Sequence, residues 1–151
     1  MAEKNAGNRW VILIGGIMLQ LCLGAVYAWS VFAAELKKEP YLWSLTETQV
    51  VFSVALATFA LVMVFAGKWQ DRIGPQKVAI AGVGLLGAGY ILSSFMPGNF
   101  LWMVLTLGLL AGAGIGTAYS CPIVALGKWF PDKLGLAAGR AVFGVGFGAF
   151  F

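Results

Sequence analysis

The chain has 151 residues, of which 60% are hydrophobic and 11% are charged, whereas an average soluble domain has roughly 25% charged residues. So few polar residues cannot cover the surface of a folded core in water, which excludes an ordinary soluble globular domain. The net charge of +4 comes from basic residues scattered at the ends of apolar runs. Because they form no basic stripe, we expect no nucleic-acid partner.

Long apolar runs alternate with short polar connections, which predicts an all-α membrane protein. About 20 residues suffice to cross a bilayer as a helix. A tail over residues 1–9 precedes a transmembrane bundle over residues 10–151. The complete predicted helices cover residues 10–34, 48–67, 78–96 and 100–127. A fifth run, 136–151, is short for a span, so we expect an incomplete fifth helix and a chain that is part of a longer protein.

The basic residues predict the orientation, because lysine and arginine resist translocation across the membrane. Of the ten, two lie in the connection after helix 1, Lys37 and Lys38. The other eight lie at the opposite ends of the helices: Lys4, Arg9, Lys68, Arg72, Lys77, Lys128, Lys133 and Arg140. We therefore expect a multi-pass protein of the inner (plasma) membrane, surrounded by the lipid bilayer, with its N-terminus in the cytoplasm.

Glycines recur at a spacing of four residues in two of the predicted helices. They are Gly108, Gly112 and Gly116 on helix 4, and Gly144 and Gly148 on helix 5. Small residues at this spacing let helices approach each other closely. Structural packing is therefore the interpretation that we prefer, and we expect helices 3 and 4 to lie within a bundle.

The connection between helices 2 and 3 contains Gly67, Asp71, Arg72, Gly74 and Lys77. It resembles the signature of the major facilitator superfamily at this place, G-x-x-x-D-R-x-G followed by basic residues. The resemblance implies that the chain is part of the N-terminal six-helix bundle of a twelve-helix transporter. It also implies that the Asp and Arg of this turn help to hold a cytoplasmic gate shut.

Helix dipoles allow a reversible latch at this turn, since a carboxylate is favoured near a helix N-terminus and a guanidinium near helix carbonyls. The alternative is a charge cluster that only keeps the turn in the cytoplasm. Short motifs of this kind need their structural context to be confirmed. Both interpretations stay open at the level of the sequence.

Two further stretches resemble the branch of oxalate/formate antiporters and monocarboxylate transporters. One is a Y-x-W-S segment in helix 1, within residues 24–32, and the other is K-W-F-P-D-K before helix 5, from residue 128. The resemblance implies secondary transport of small carboxylates such as lactate, pyruvate, formate or oxalate. Transport would be symport with a proton or exchange of anions, and the missing C-terminal half of the carrier would be the partner of this chain.

Four side chains are candidate substrate ligands. At about 100° per residue, Gln20 and Tyr27 share one side of helix 1 and Ser30 lies about 60° further round, which predicts a polar stripe facing the bundle interior. Tyr119 falls on the same face of helix 4 as two of its glycines, where we expect room for a substrate. The resemblance implies that Tyr27 and Tyr119 hydrogen-bond the anion. The alternative for both tyrosines is helix packing or a place at the membrane interface.

Several function classes are not supported by the residues present. The chain has no histidine, and the predicted spans carry no carboxylate pair, so we expect neither an enzyme, nor a metal site, nor a cofactor. The spans also lack the cation that a carboxylate carrier needs, which the resemblance assigns to the second half. A non-transporting membrane scaffold or assembly subunit, binding partner helices through glycine-rich faces, is the alternative function.

Overall fold

The computed structural model describes residues 6–129 and 134–148. In these ranges the chain forms seven α-helices: α1 (Ala6–Leu23), α2 (Trp29–Leu36), α3 (Leu45–Ile73), α4 (Pro75–Ser93), α5 (Phe100–Met103), α6 (Gly112–Trp129) and α7 (Leu134–Phe147). A 3-10 helical segment, Gly24–Ala28, joins α1 to α2, and a π-helical segment, Val104–Ala111, joins α5 to α6. The expected all-α fold is confirmed.

Four segments of the described chain are long and apolar enough to cross a membrane. They are Val11–Leu36, Leu45–Ile73, Pro75–Ser93 and Phe100–Ala125. Their surfaces expose large apolar side chains, including Leu61, Phe65 and Ile80. Such surfaces are stable when lipid, and not water, surrounds them.

The chain divides into two compact units, which are described separately. The first contains the residues up to Ala28 together with those from Cys121 onward. In this unit α1 packs against the helix α7, and the contact depends on glycines. A Cβ atom built on Gly148 would lie 3.0 Å from the Cα atom of Gly24, and one built on Gly144 would lie 3.2 Å from the Cβ atom of Gln20. The expected role of Gly144 and Gly148 in close helix packing is confirmed.

The second unit, Trp29–Ser120, is built around the fourth span. This span packs closely against α4 on one side. A Cβ atom built on Gly82 would lie 2.7 Å from the backbone nitrogen of Ala118, and one built on Gly89 would lie 2.8 Å from that of Ala111. The expectation that helices 3 and 4 lie within a bundle is therefore confirmed.

The fourth span also packs against α3, through the glycines predicted from their spacing. A Cβ atom built on Gly112 would lie 2.8 Å from the carbonyl oxygen of Ala55, and one built on Gly116 would lie 2.6 Å from that of Phe59. Gly108 faces the Val54 side chain, whose Cγ1 atom would lie 3.0 Å from an added Cβ atom. The expectation that glycines on this face leave room for a substrate is wrong, because the backbone of α3 fills the space.

The α2–α3 connection is held by a helix cap. The Ser44 hydroxyl accepts a hydrogen bond from the backbone nitrogen of Glu47 at 3.2 Å, and the backbone nitrogen of Ser44 donates to the Glu47 carboxylate at 2.8 Å. This reciprocal pair satisfies backbone donors at the start of α3. Next to it, Trp43 is buried with Leu36 and Met103 in a small apolar cluster. The start of α3 is therefore anchored within the second unit.

Candidate functional site

A single residue connects α3 to α4. Helix α3 continues to Ile73 and α4 begins at Pro75, so the turn consists of Gly74 alone and is much shorter than the connection expected from the sequence. Gly74 has φ 89° and ψ 154°, a conformation that is essentially restricted to glycine. The fixed φ of proline suits the first position of α4. Together these two residues define the angle between the helices.

The signature residues on either side of Gly74 have different surroundings. Gly67 is half-buried within α3, and a Cβ atom built on it would meet no other atom within 4 Å. Close packing therefore does not explain this glycine. Lys77 is exposed in the first turn of α4. The motif thus combines one conformationally required glycine with an exposed basic residue.

Asp71 and Arg72 are both exposed and lie in the last turn of α3. The arginine is at the carbonyl end of a helix, where the dipole favours a positive charge. The aspartate is at that same end, not at the helix N-terminus expected from the sequence, and the dipole disfavours its negative charge there. Within residues 6–129 and 134–148 neither of them forms an ion pair. Asp71 is thus a carboxylate that a cation from outside these residues would stabilise.

Gln70 connects this turn to α6. Its side chain is 3% exposed, and its Oε1 atom accepts a hydrogen bond from the Ser120 hydroxyl at 3.0 Å. Its backbone carbonyl accepts a second bond from the nitrogen of Gly74 at 3.0 Å. Its Nε2 atom is buried and has no hydrogen-bond partner among the described residues.

Sequence reasoning did not select Gln70, although a signal was present. The residue follows Ala66, which is also buried, by one helical turn. Residues four apart lie on the same face of a helix. A polar residue that continues a buried face is therefore recognisable once that face has been identified.

Tyr119 lies on α6 beside Ser120 and is half-buried. Its ring meets the ring of Phe59 edge to face, with the centroids 5.3 Å apart and the planes at 85°. Aromatic pairs prefer this geometry. Tyr119 is thus oriented by α3, on the face of α6 that the sequence predicted.

The candidate ligands from helix 1 fall in different surroundings. Gln20 is completely buried on α1, whereas Tyr27 is 57% exposed in the 3-10 helical segment. Ser30 is exposed at the start of α2. A 3-10 helix advances about 120° per residue, so a stripe drawn at 100° does not continue through it. Gln20 and Tyr27 belong to the first unit, and Ser30 and Tyr119 to the second; their binding roles stay predictions.

Trp29 of the Y-x-W-S segment packs within the second unit. Its ring stacks on Phe52, with the centroids 6.4 Å apart and the planes at 13°. Its Nε1 atom is buried without a hydrogen-bond partner in the described part of the chain. The contact with Phe52 joins the start of α2 to α3. This part of the motif therefore has a packing role.

Comparisons with known proteins agree with the motif. Residues 10–151 match the model of the Major Facilitator Superfamily. The chain is 35% identical over 144 residues to YhjX of Escherichia coli (strain K12), an uncharacterized transporter of this type, covering 94% of the chain and 35% of that protein. It is 30% identical over 143 residues to the oxalate:formate antiporter of Oxalobacter formigenes, covering 94% of the chain and 34% of that protein.

A third relative is monocarboxylate transporter 14 of Homo sapiens, which is 29% identical over 147 residues, or 97% of the chain and 28% of that protein. The chain thus spans about a third of the length of these curated relatives. The expected resemblance to the oxalate/formate and monocarboxylate branch is confirmed. With the family model matched over nearly the whole sequence, and with four segments of the described chain able to span a bilayer, the chain belongs to the Major Facilitator Superfamily and is a multi-pass membrane protein.

Proposed function

We propose that the chain is the N-terminal part of a secondary transporter that moves small carboxylates by alternating access. The observation that carries the proposal is that Asp71 and Arg72, within the superfamily signature and beside a one-residue turn, are exposed and form no ion pair with any residue that the structure describes. The names of the relatives, an oxalate:formate antiporter and a monocarboxylate transporter, support a substrate of the lactate, pyruvate, formate or oxalate type.

The gate in this proposal is an electrostatic latch at the α3–α4 turn. The dipole of α3 disfavours the Asp71 carboxylate, so a cation from the second half of the carrier stabilises it when the two halves close. Arg72 carries the opposite charge to Asp71. Its five N–H donors would bind an acceptor on the same side of the membrane. Gly67, Gly74 and Lys77 complete the gate: Gly74 sets the helix angle and Lys77 adds positive charge.

The arrangement in the membrane is also part of the proposal. The excess of lysine and arginine at one set of helix ends supports a cytoplasmic N-terminus and a place in the inner (plasma) membrane. The proposed layout is a tail over residues 1–9 followed by a transmembrane bundle over residues 10–151. On this assignment the gate lies on the cytoplasmic side.

The proposed substrate ligands are Tyr27, Tyr119, Ser30 and Gln20, each taken on its own from the sequence. Their hydroxyl and amide groups would donate hydrogen bonds to a carboxylate and fix its orientation. An anion stripped of water also needs a cation, which the second half would supply. The charge of the anion is balanced either by a proton that moves with it or by exchange for another anion.

The scaffold alternative loses its main support. It required glycine-rich faces open to partner helices, whereas Gly112 and Gly116 face the backbone of α3, and Gly82 faces α6. These glycines already serve contacts inside the second unit. We therefore keep the transporter as the single proposed function.

Uptake by the full-length carrier in lipid vesicles tests the proposal. We expect saturable uptake of radiolabelled oxalate or lactate that the other unlabelled carboxylates reduce. Acceleration by an inward proton gradient would identify symport, and acceleration by formate loaded inside the vesicles would identify exchange. If none of the four carboxylates enters faster than into protein-free vesicles, the proposal is wrong.

A further inference from the structure

Gln70 holds both the turn and the neighbouring helix. Its backbone carbonyl accepts the hydrogen bond from Gly74, and its side chain accepts the bond from Ser120 of α6, each at 3.0 Å. One residue thus links the α3–α4 turn to the fourth span. The exposed Asp71 follows it directly in the chain.

We infer that Gln70 is a positioning residue, which through Ser120 fixes the α3–α4 turn against α6 and so holds Asp71 in place for the gate. The inference rests on the proposed function and adds a residue to it. The last turn of a helix frays readily, and the dipole disfavours a carboxylate there. A lateral bond one residue before Asp71 keeps this turn helical and oriented.

The buried amide is better explained by positioning than by stability. The Nε2 atom of Gln70 is buried without a hydrogen-bond partner among the described residues, and burying an unsatisfied donor destabilises a fold. An apolar side chain of similar size would avoid this cost. The directional bond to Ser120 is what an apolar residue could not provide.

A pair of substitutions separates positioning from stability. In S120A the Gln70 amide loses its hydrogen bond, so we expect lower thermal stability and a maximal transport rate about 3- to 10-fold lower, with KM for oxalate unchanged. In Q70M/S120A both partners are apolar, so stability returns to the wild-type value or above it, whereas the rate stays low.

Two further variants are controls. S120T keeps the hydroxyl and retains the rate. S53A, the same change at an exposed position of α3, serves as the control.

The decisive readout is a double-mutant cycle with D71N in the full-length carrier, using radiolabelled oxalate in vesicles. If Gln70 and Ser120 act by holding Asp71, S120A lowers the rate in the wild type and has no further effect in D71N. If S120A lowers the rate by the same factor in both backgrounds, or if Q70M/S120A recovers rate together with stability, the inference is wrong.

The same data distinguish the two proposals from each other. A wild-type rate that D71N leaves unchanged contradicts the gate at Asp71, and with it the positioning role. A rate that D71N changes, together with an additive effect of S120A, leaves the gate intact and overturns the role of Gln70 alone.

Discussion

The ring of Tyr119 rests with an edge-to-face contact on Phe59, with the centroids 5.3 Å apart. This contact holds the side chain against α3 independently of the hydroxyl group. The packing and the polar functions of Tyr119 can therefore be separated by removing one oxygen atom.

In Y119F we expect KM for the carboxylate to rise about 3- to 10-fold, because one hydrogen bond to the anion is lost. The edge-to-face contact with Phe59 remains in this variant. Y41F, at an exposed position of the α2–α3 connection, makes the same chemical change away from the proposed site. An unchanged KM in Y119F would show that the hydroxyl does not bind substrate.

The two glycines of the signature should respond differently to alanine. Gly74 has positive φ, so G74A should destabilise the carrier by about 1–3 kcal/mol and slow transport by tilting α4. At Gly67 a Cβ atom meets open space within a helix, and alanine there should be neutral or stabilise by up to about 1 kcal/mol. Thermal unfolding of the two purified variants provides the comparison. Equal losses in both would contradict this assignment.

Glycine packing between α3 and α6 gives a second matched pair. G116A places a methyl group 2.6 Å from the carbonyl oxygen of Phe59, and the helices must separate to accept it. We expect a loss of about 1–3 kcal/mol, as for other overpacked cores. G87A on α4, where nothing lies within 4 Å of the added atom, is the control. A G116A carrier as stable as G87A would show that the two helices do not need this close contact.

The proposed orientation can be tested with a thiol reagent that does not cross the membrane. Lys38, in the connection before α3, and Gln76, in the first turn of α4, are both exposed and lie at opposite ends of α3. Of the two cysteines in this sequence, Cys121 is buried and Cys22 is exposed. In a carrier in which Cys22 is replaced, we expect K38C to react in intact cells and Q76C to react only after the membrane is permeabilised. The reverse pattern would place the N-terminus outside.

The helical spans were predictable because the length of an apolar run limits what can cross a bilayer. The residues at which the helices end were harder to predict. Asp71 and Arg72 are polar and suggested a loop, yet backbone hydrogen bonds continue the helix to Ile73, where Gly74 and Pro75 end it. The apolar run ends where the chain leaves the hydrocarbon region, whereas the helix ends where the backbone dihedral angles change.

The candidate site was predictable only in part. The motif identified Asp71 and Arg72 by their spacing, but not the end of the helix dipole at which the carboxylate lies. The 3-10 segment around Tyr27 has no signature in composition, so a face computed for a continuous α-helix did not extend to Ser30. Gln70 was missed because burial depends on which helix lies opposite.

The most direct test of the proposed gate compares wild type with D71N in vesicles that contain the full-length carrier. We predict saturable uptake of radiolabelled oxalate by the wild type. In D71N we predict a maximal rate about tenfold lower, with normal membrane insertion and KM within about twofold of wild type. Wild-type uptake no faster than into protein-free vesicles would contradict carboxylate transport. Identical kinetics in the two carriers would contradict the latch at Asp71.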